Sequence, residues 1–248
     1  VLYLSSCNYN MINKKATLAI VLCMGISFLS IAQAGGEILI QANRATLERD
    51  YTKALDLYSQ YIAVNPDDFR GYFNRGTTEY NAGKFDDAIA DFTKTLQLNR
   101  RYNEAYYYRG QCYFAKNNYI LAVEDYTFVL TTQPKSVPFL KLRSEAYAGQ
   151  NKPILALDDL NMAVSVDRLS GDLYKRRAEL KVTTDDVDGA LRDYSSVEKL
   201  IPSYKMVHYI KGNLYLELRE IEFACKEFKI AIDNQIVVAE RKHEELCL

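Results

Sequence analysis

The side chains able to do acid–base, nucleophilic or metal chemistry are few in this chain of 248 residues. It has two histidines, His208 and His243, and five cysteines, Cys7, Cys23, Cys112, Cys225 and Cys247. Catalysis needs such groups to converge, and a zinc site needs them at short fixed spacings. Neither pattern occurs, and no glycine-rich phosphate loop or nucleophile elbow is present. Asp185, Asp186 and Asp188 have the carboxylates of a calcium loop but not its central glycine or its terminal glutamate; they read as a turn whose aspartates cap the following helix. Cys112 and Cys225 read as small apolar core groups, and Cys247 as a free thiol. No enzyme activity, cofactor or metal is expected.

One charged pattern does recur. Counting Gly35 as place 1 of a 34-residue register, place 7 holds Arg75, Arg109, Arg143, Arg177 and then Lys211, while place 23 holds Asp91, Asp125, Asp159, Asp193 and then Glu227. Both types change together in the last span, and in the first both are absent, as Gln41 and Leu57. The covariation within one chain predicts ion pairs between two helices, either inside a span or between neighbours. His208 stands at place 4, otherwise apolar or aromatic, and reads as a packed histidine.

The elements that would position these charges follow the same period. Alanine returns at Ala54, Ala88, Ala122, Ala156, Ala190 and Ala224, and four residues after each, on the same helical face, stand Tyr58, Phe92, Tyr126, Leu160, Tyr194 and Phe228. Place 8 is always small: Ala42, Gly76, Gly110, Ser144, Ala178, Gly212. The units run 35–68, 69–102, 103–136, 137–170, 171–204 and 205–238 without insertion or deletion. A fixed period of this length is the mark of stacked helical hairpins.

This pattern resembles the tetratricopeptide repeat (TPR), in which a small residue lets two helices approach and large side chains fill the gap. The resemblance covers residues 35–238 and implies an all-α, right-handed superhelical solenoid of antiparallel helix pairs. The proline that usually ends the second helix stands at Pro66, Pro134 and Pro202 but is replaced by Arg100, Arg168 and Ile236, so other turn chemistry must end those helices. Pro153 replaces an aromatic residue at a helix first turn, where proline is tolerated. Nothing after Ile232 obliges the last helix to stop, so one helix over 222–246 is expected, with residues 239–248 as a cap extension.

In TPR arrays places 2, 5, 9, 12 and 13 of the first helices line a groove. The resemblance therefore implies Phe73, Thr77, Tyr80, Asn81, Tyr107, Gln111 and Phe114 as an aromatic and polar half, and Lys141, Glu145, Lys175 and Glu179 within a charged half. Asn43 and Asn74 match two places of the carboxylate clamp found in some chaperone-binding TPR modules, but Leu39, Glu104 and Tyr108 stand where its basic groups belong. Recognition of a chaperone's C-terminal carboxylate is disfavoured.

Ahead of the repeats, Met11, Lys14 and Lys15, an apolar run over 16–32 and the small-x-small trio Ala32, Gln33, Ala34 have the order of a secretory signal. Cleavage after Ala34 would begin the mature chain at the first repeat, with residues 1–10 as an upstream start or fragment edge. The alternative is a membrane anchor over 16–32. A formal charge of −1 offers nothing to nucleic acid. The expected protein is an exported, periplasmic or cell-surface scaffold for a protein or peptide segment, with no small-molecule substrate. Two alternatives are a self-associating envelope component and an accessory or sensor subunit to an enzyme on another chain.

Overall fold

The computed structural model describes residues 35–247, in which all regular structure is helical. Helix α1 occupies 35–47. It is followed by α2 (Tyr51–Val64), α3 (Phe69–Asn81), α4 (Phe85–Leu98), α5 (Asn103–Ala115), α6 (Tyr119–Thr132) and α7 (Val137–Gly149). Then come α8 (Pro153–Val166), α9 (Gly171–Val182), α10 (Val187–Leu200), α11 (Met206–Glu217), α12 (Ile221–Asp233) and α13 (Val238–Cys247). The expected leader, with Cys7, Cys23 and the apolar run, lies outside the described residues. Among the described residues no helix is long and apolar enough to cross a membrane. The chain divides between Cys112 and Tyr113, within α5, into two compact units.

In both units the small residue at place 8 faces the large one at place 24. A Cβ on Gly76 would lie 3.0 Å from Phe92, and one on Gly212 2.5 Å from Phe228. Ala42 shares a core with Tyr58, and Ala178 with Tyr194. Ser144 is also buried, and its hydroxyl donates to the Ala156 carbonyl at 3.0 Å, so its polar atom has a partner inside the core. The repeated alanines Ala54, Ala88, Ala122, Ala156, Ala190 and Ala224 are all fully buried.

The turn inside each hairpin is made by the backbone rather than by a fixed residue. Place 15 is Arg49, Gly83, Asn117, Asn151, Asp185 and Arg219, and every one has a positive φ, between 57° and 75°. In each case the next amide donates back to the carbonyl five residues earlier, at 2.8 to 3.0 Å, as Lys84 does to Glu79 and Glu220 to Tyr215. This is a Schellman motif, which satisfies carbonyls left open at a helix C-terminus. Only one of the six is the glycine that such a conformation favours. In the fifth of these turns Asp186 caps α10, its carboxylate accepting from the Gly189 amide at 2.9 Å.

The second helices α2, α4, α6, α8 and α10 all end at place 30, with or without a following proline. Where Pro is missing, the place-31 side chain supplies the turn: Asn99 Oδ1 accepts from the Arg101 amide at 3.2 Å, and Asp167 Oδ1 from the Leu169 amide at 3.1 Å. Pro153 is the first residue of α8.

The last element differs from the expected continuous helix over 222–246. Helix α12 stops at Asp233 because Gln235 takes a φ of 65° and Ile236 donates to the Ala231 carbonyl at 3.0 Å, a seventh Schellman turn. The chain then doubles back as α13, whose Ala239 is buried against Ala224, Phe228 and Ala231. That reversal brings Cys247 to Cys225, with a Cα separation of 5.7 Å, and the two form a disulfide. The reading of Cys225 as an apolar filler and Cys247 as a free thiol is thereby corrected. Two cysteines 22 residues apart meet only because of a reversal that the helical pattern did not announce. Among the described residues Cys112 is a buried free thiol, and burial pushes it up to about 12.

Candidate functional site

The place-7 arginines are forks that hold the first helices in register. Arg75 Nε and Nη2 donate to both oxygens of Asp91 at 2.7 and 2.8 Å, while its Nη1 reaches Ser59 of the preceding repeat at 3.1 Å. Arg143 makes the same set with Asp159 at 2.9 and 2.7 Å and with Thr127 at 3.1 Å. Arg177 grips Asp193 at 2.8 and 2.6 Å and Asn161 at 3.1 Å. Arg109 likewise donates to Thr93 at 3.0 Å. Each fork thus reaches sixteen residues forward to a buried carboxylate, sixteen back to a polar group, or both, a use of planar guanidinium geometry that lysine cannot copy. In the last repeat Lys211 binds Glu227 at 2.7 Å and Glu198 at 2.9 Å. Glu227 also accepts a contact from His208 Nδ1 at 2.8 Å, so the histidine is buried but bonded to a carboxylate.

The first-helix face of the first unit is aromatic. Tyr108 is its hub, with ring centroids 5.9 Å from Phe73, 5.5 Å from Tyr80, 5.7 Å from Phe92 and 5.0 Å from Tyr107. Phe73 also packs edge-on to Tyr102 at 4.8 Å. Of the groove residues implied by the resemblance, Phe73, Tyr80 and Tyr107 therefore meet through Tyr108 and remain only partly exposed. Thr77 bonds back to the Asn74 carbonyl at 2.9 Å, Gln111 is partly buried, and Asn81 is exposed. Asn43 Oδ1 is taken by Tyr58 Oη at 2.7 Å and Asn74 Nδ2 at 3.2 Å, so the two clamp-matching asparagines spend polar groups on each other and on the core.

In the second unit Phe114 packs on Tyr119 at 5.2 Å, and the corresponding face farther along is charged. Lys141 pairs with Asp172 at 3.2 Å; Arg176 pairs with Asp172 at 3.0 Å and, more closely, with Glu145. Lys175 lies 4.6 Å over the Tyr204 ring and 3.8 Å from Glu179. Between α7 and α9 lies a cleft of about 230 Å³ lined by Arg176 and by Ala148, Leu160 and Leu180. Lys141, Glu145 and Glu179 all line it.

Sequence reasoning weighed Tyr108 only as a place of the carboxylate clamp and missed Arg176, and both stand at place 6. Place 6 lies four residues after place 2 and three before place 9, so it shares their helical face. Asn74, also at place 6, makes the equivalent contact: it reaches back 31 residues to Asn43, as Arg176 does to Glu145.

Glu79 is a buried carboxylate whose protonation departs far from the ordinary. Its side chain is buried and its Oε2 lacks a hydrogen-bond partner. Burial first, and the Asp91 carboxylate second, raise it from 4.5 to about 7, against the opposing pull of Arg75 and Lys84. Because the folded value lies above the unfolded one, the contribution of neutral Glu79 is complete below about pH 4.5 and is lost as pH rises through about 7. Glu79→Gln is expected to flatten this slope and to unfold at higher urea than the parent at pH 8, with little difference at pH 4.5. Urea midpoints across that range check it, and parallel pH curves for the two proteins would refute it.

These features define a class: an all-α hairpin-repeat protein whose first helices are locked by arginine forks and whose side-chain-rich faces are suited to binding. A family model described as tetratricopeptide repeat matches residues 73–137. The fold is that of a tetratricopeptide-repeat array, a fold that suggests a protein-interaction scaffold. It is 37% identical over 67 residues to human DnaJ homolog subfamily C member 7, a match covering 25% of this chain and 14% of that protein. Among solved structures it is similar to a tetratricopeptide repeat protein from Parabacteroides merdae, with a TM-score of 0.68, 16% identity and coverage of 87% and 94%. MamA from Desulfovibrio magneticus RS-1 gives 0.64, 20% identity and coverage of 68% and 96%. YrrB, described as a TPR protein with an unusual peptide-binding site, gives 0.64, 22% identity and coverage of 75% and 97%. At these identities the likeness concerns the fold.

Proposed function

We propose that this chain is an exported, noncatalytic scaffold that receives a peptide segment of a partner protein on the first-helix face of its second unit. The observation that carries this reading is the cleft between α7 and α9, lined by Leu160 and Leu180 together with charges of both signs. Such a site would take an apolar side chain while charged neighbours orient the segment. The peptide-binding site named for YrrB is consistent with this use of the fold. Export to the periplasm or cell surface is supported by the signal-like order of residues 11–34 and by the Cys225–Cys247 disulfide, a bond that persists in oxidising compartments.

A self-associating role has one observation in its favour. Ile154, Leu155, Met162 and Val166 leave an apolar row exposed on α8. One experiment separates the two readings: a photo-crosslinking amino acid placed at Glu179 or at Met162, in cells, followed by mass spectrometry. Groove binding predicts crosslinks to a different protein from position 179 and none to a second copy from 162. Copy-to-copy crosslinks from 162 alone would overturn the scaffold reading in favour of self-association. Crosslinks from neither position would overturn both. N-terminal sequencing of the mature chain checks export, with Gly35 as the expected first residue.

A further inference from the structure

We propose that the Cys225–Cys247 disulfide is a reducible clasp that holds α13 over the last face of the repeat stack. Helix α13 has ten residues, and Ala239 is its single fully buried one. A helix of that length is marginal in water without tertiary support. Its Arg241–Glu245 pair is exposed and 3.8 Å apart, so it contributes little. The covalent link therefore supplies most of what keeps α13 on α12.

The register shows what the clasp protects. Ala239 falls 34 residues after Lys205, so α13 begins where the first helix of a seventh repeat would begin. It lies on the face of α12 that includes Ala224, Ala231 and the partly buried Ile232. Release of α13 uncovers that apolar stacking face. Both sulfurs belong to partly exposed residues, so a dithiol can reach them.

The chemistry balances with a dithiol as co-reactant. One of its thiolates attacks a protein sulfur, and the other protein cysteine leaves as a thiolate and takes a proton. The second reductant thiol then attacks the mixed disulfide, releasing the second cysteine as a thiol and leaving the reductant oxidised. Two electrons pass to the protein, and the reverse exchange closes the clasp.

Hydrogen exchange tests this on the oxidised chain, the chain reduced with dithiothreitol, and Cys247→Ser. Amides of α13 are expected to exchange on the order of a hundredfold faster in the reduced and Cys247→Ser proteins, the scale of a cross-link closing a loop of this size. Those of α9 to α12 should be unchanged, and reoxidation should restore protection in the parent only. Equal α13 protection in all three proteins would overturn the proposal. Loss spreading through α11 and α12 would overturn it too, since the bond would then hold the last repeat itself together.

Discussion

Asp159→Ala should lower the unfolding free energy by about 2–4 kcal/mol, read from urea denaturation, because it strands the Arg143 guanidinium between α7 and α8 with its main acceptor gone. The side chain of Arg143 is 20% exposed and that of Asp159 7%, which places the expected loss somewhat below that of a fully enclosed pair. Arg143→Met should cost a similar amount by leaving the carboxylate unpaired. The double variant Arg143→Met with Asp159→Leu should recover much of the loss, since removing both charges removes the desolvation penalty along with the attraction. Strict additivity of the two single variants would mean that the pair is not coupled. The recovered double variant would still lack the bond from Arg143 to Thr127, so it should show faster hydrogen exchange where α7 meets the preceding repeat. The fork's value to this protein is then as much in helix register as in energy.

Phe228→Ala is expected to cost about 3–5 kcal/mol, the range for emptying an aromatic site in a closed core. Phe228 is fully buried, and the closest atoms to a Cβ built on Gly212 belong to its ring, at 2.5 to 3.0 Å. Gly212→Leu should therefore destabilise through overpacking, by roughly 1–3 kcal/mol or more. Combining the two reverses the sizes across the same helix contact, and the leucine can enter the space the ring vacates. The double variant should unfold at higher urea than Phe228→Ala alone. If instead the two losses add, the small-to-large complementarity of places 8 and 24 is not what sets the approach of α11 and α12.

Much of the fold was legible because each repeat states its packing rule again. A glycine opposite a phenylalanine could be accidental once, but not when Gly76 faces Phe92 and Gly212 faces Phe228 in separate units. The paired change from arginine and aspartate to lysine and glutamate likewise announced the contact between Lys211 and Glu227. The candidate site was less legible. Its implied residues were carried over place by place, so Arg176 at place 6 was passed over, and Tyr108 was considered only as a clamp place, although both share that face. How deeply Phe73 sits among Tyr102, Tyr108 and Phe92 depends on the angle between neighbouring helices, which no single repeat encodes.

The sequence by itself determined the period, the helix pairs, the small and large faces and the residues of the charge ladder, because each depends on residues at fixed spacing and the spacing recurs. The structure decided that Arg75, Arg143 and Arg177 each meet the aspartate of their own repeat. Tertiary structure alone decided how far the chain runs before turning back at Gln235, and that Cys225 and Cys247 are joined. It also decided that Glu79 is buried with an oxygen left unpaired. Those outcomes arise where a repeat meets something other than a copy of itself: the last face of a stack, or a carboxylate at a place where the next two repeats carry tyrosine. Periodicity carries no information about such sites, so their chemistry is set by which surfaces happen to close over them.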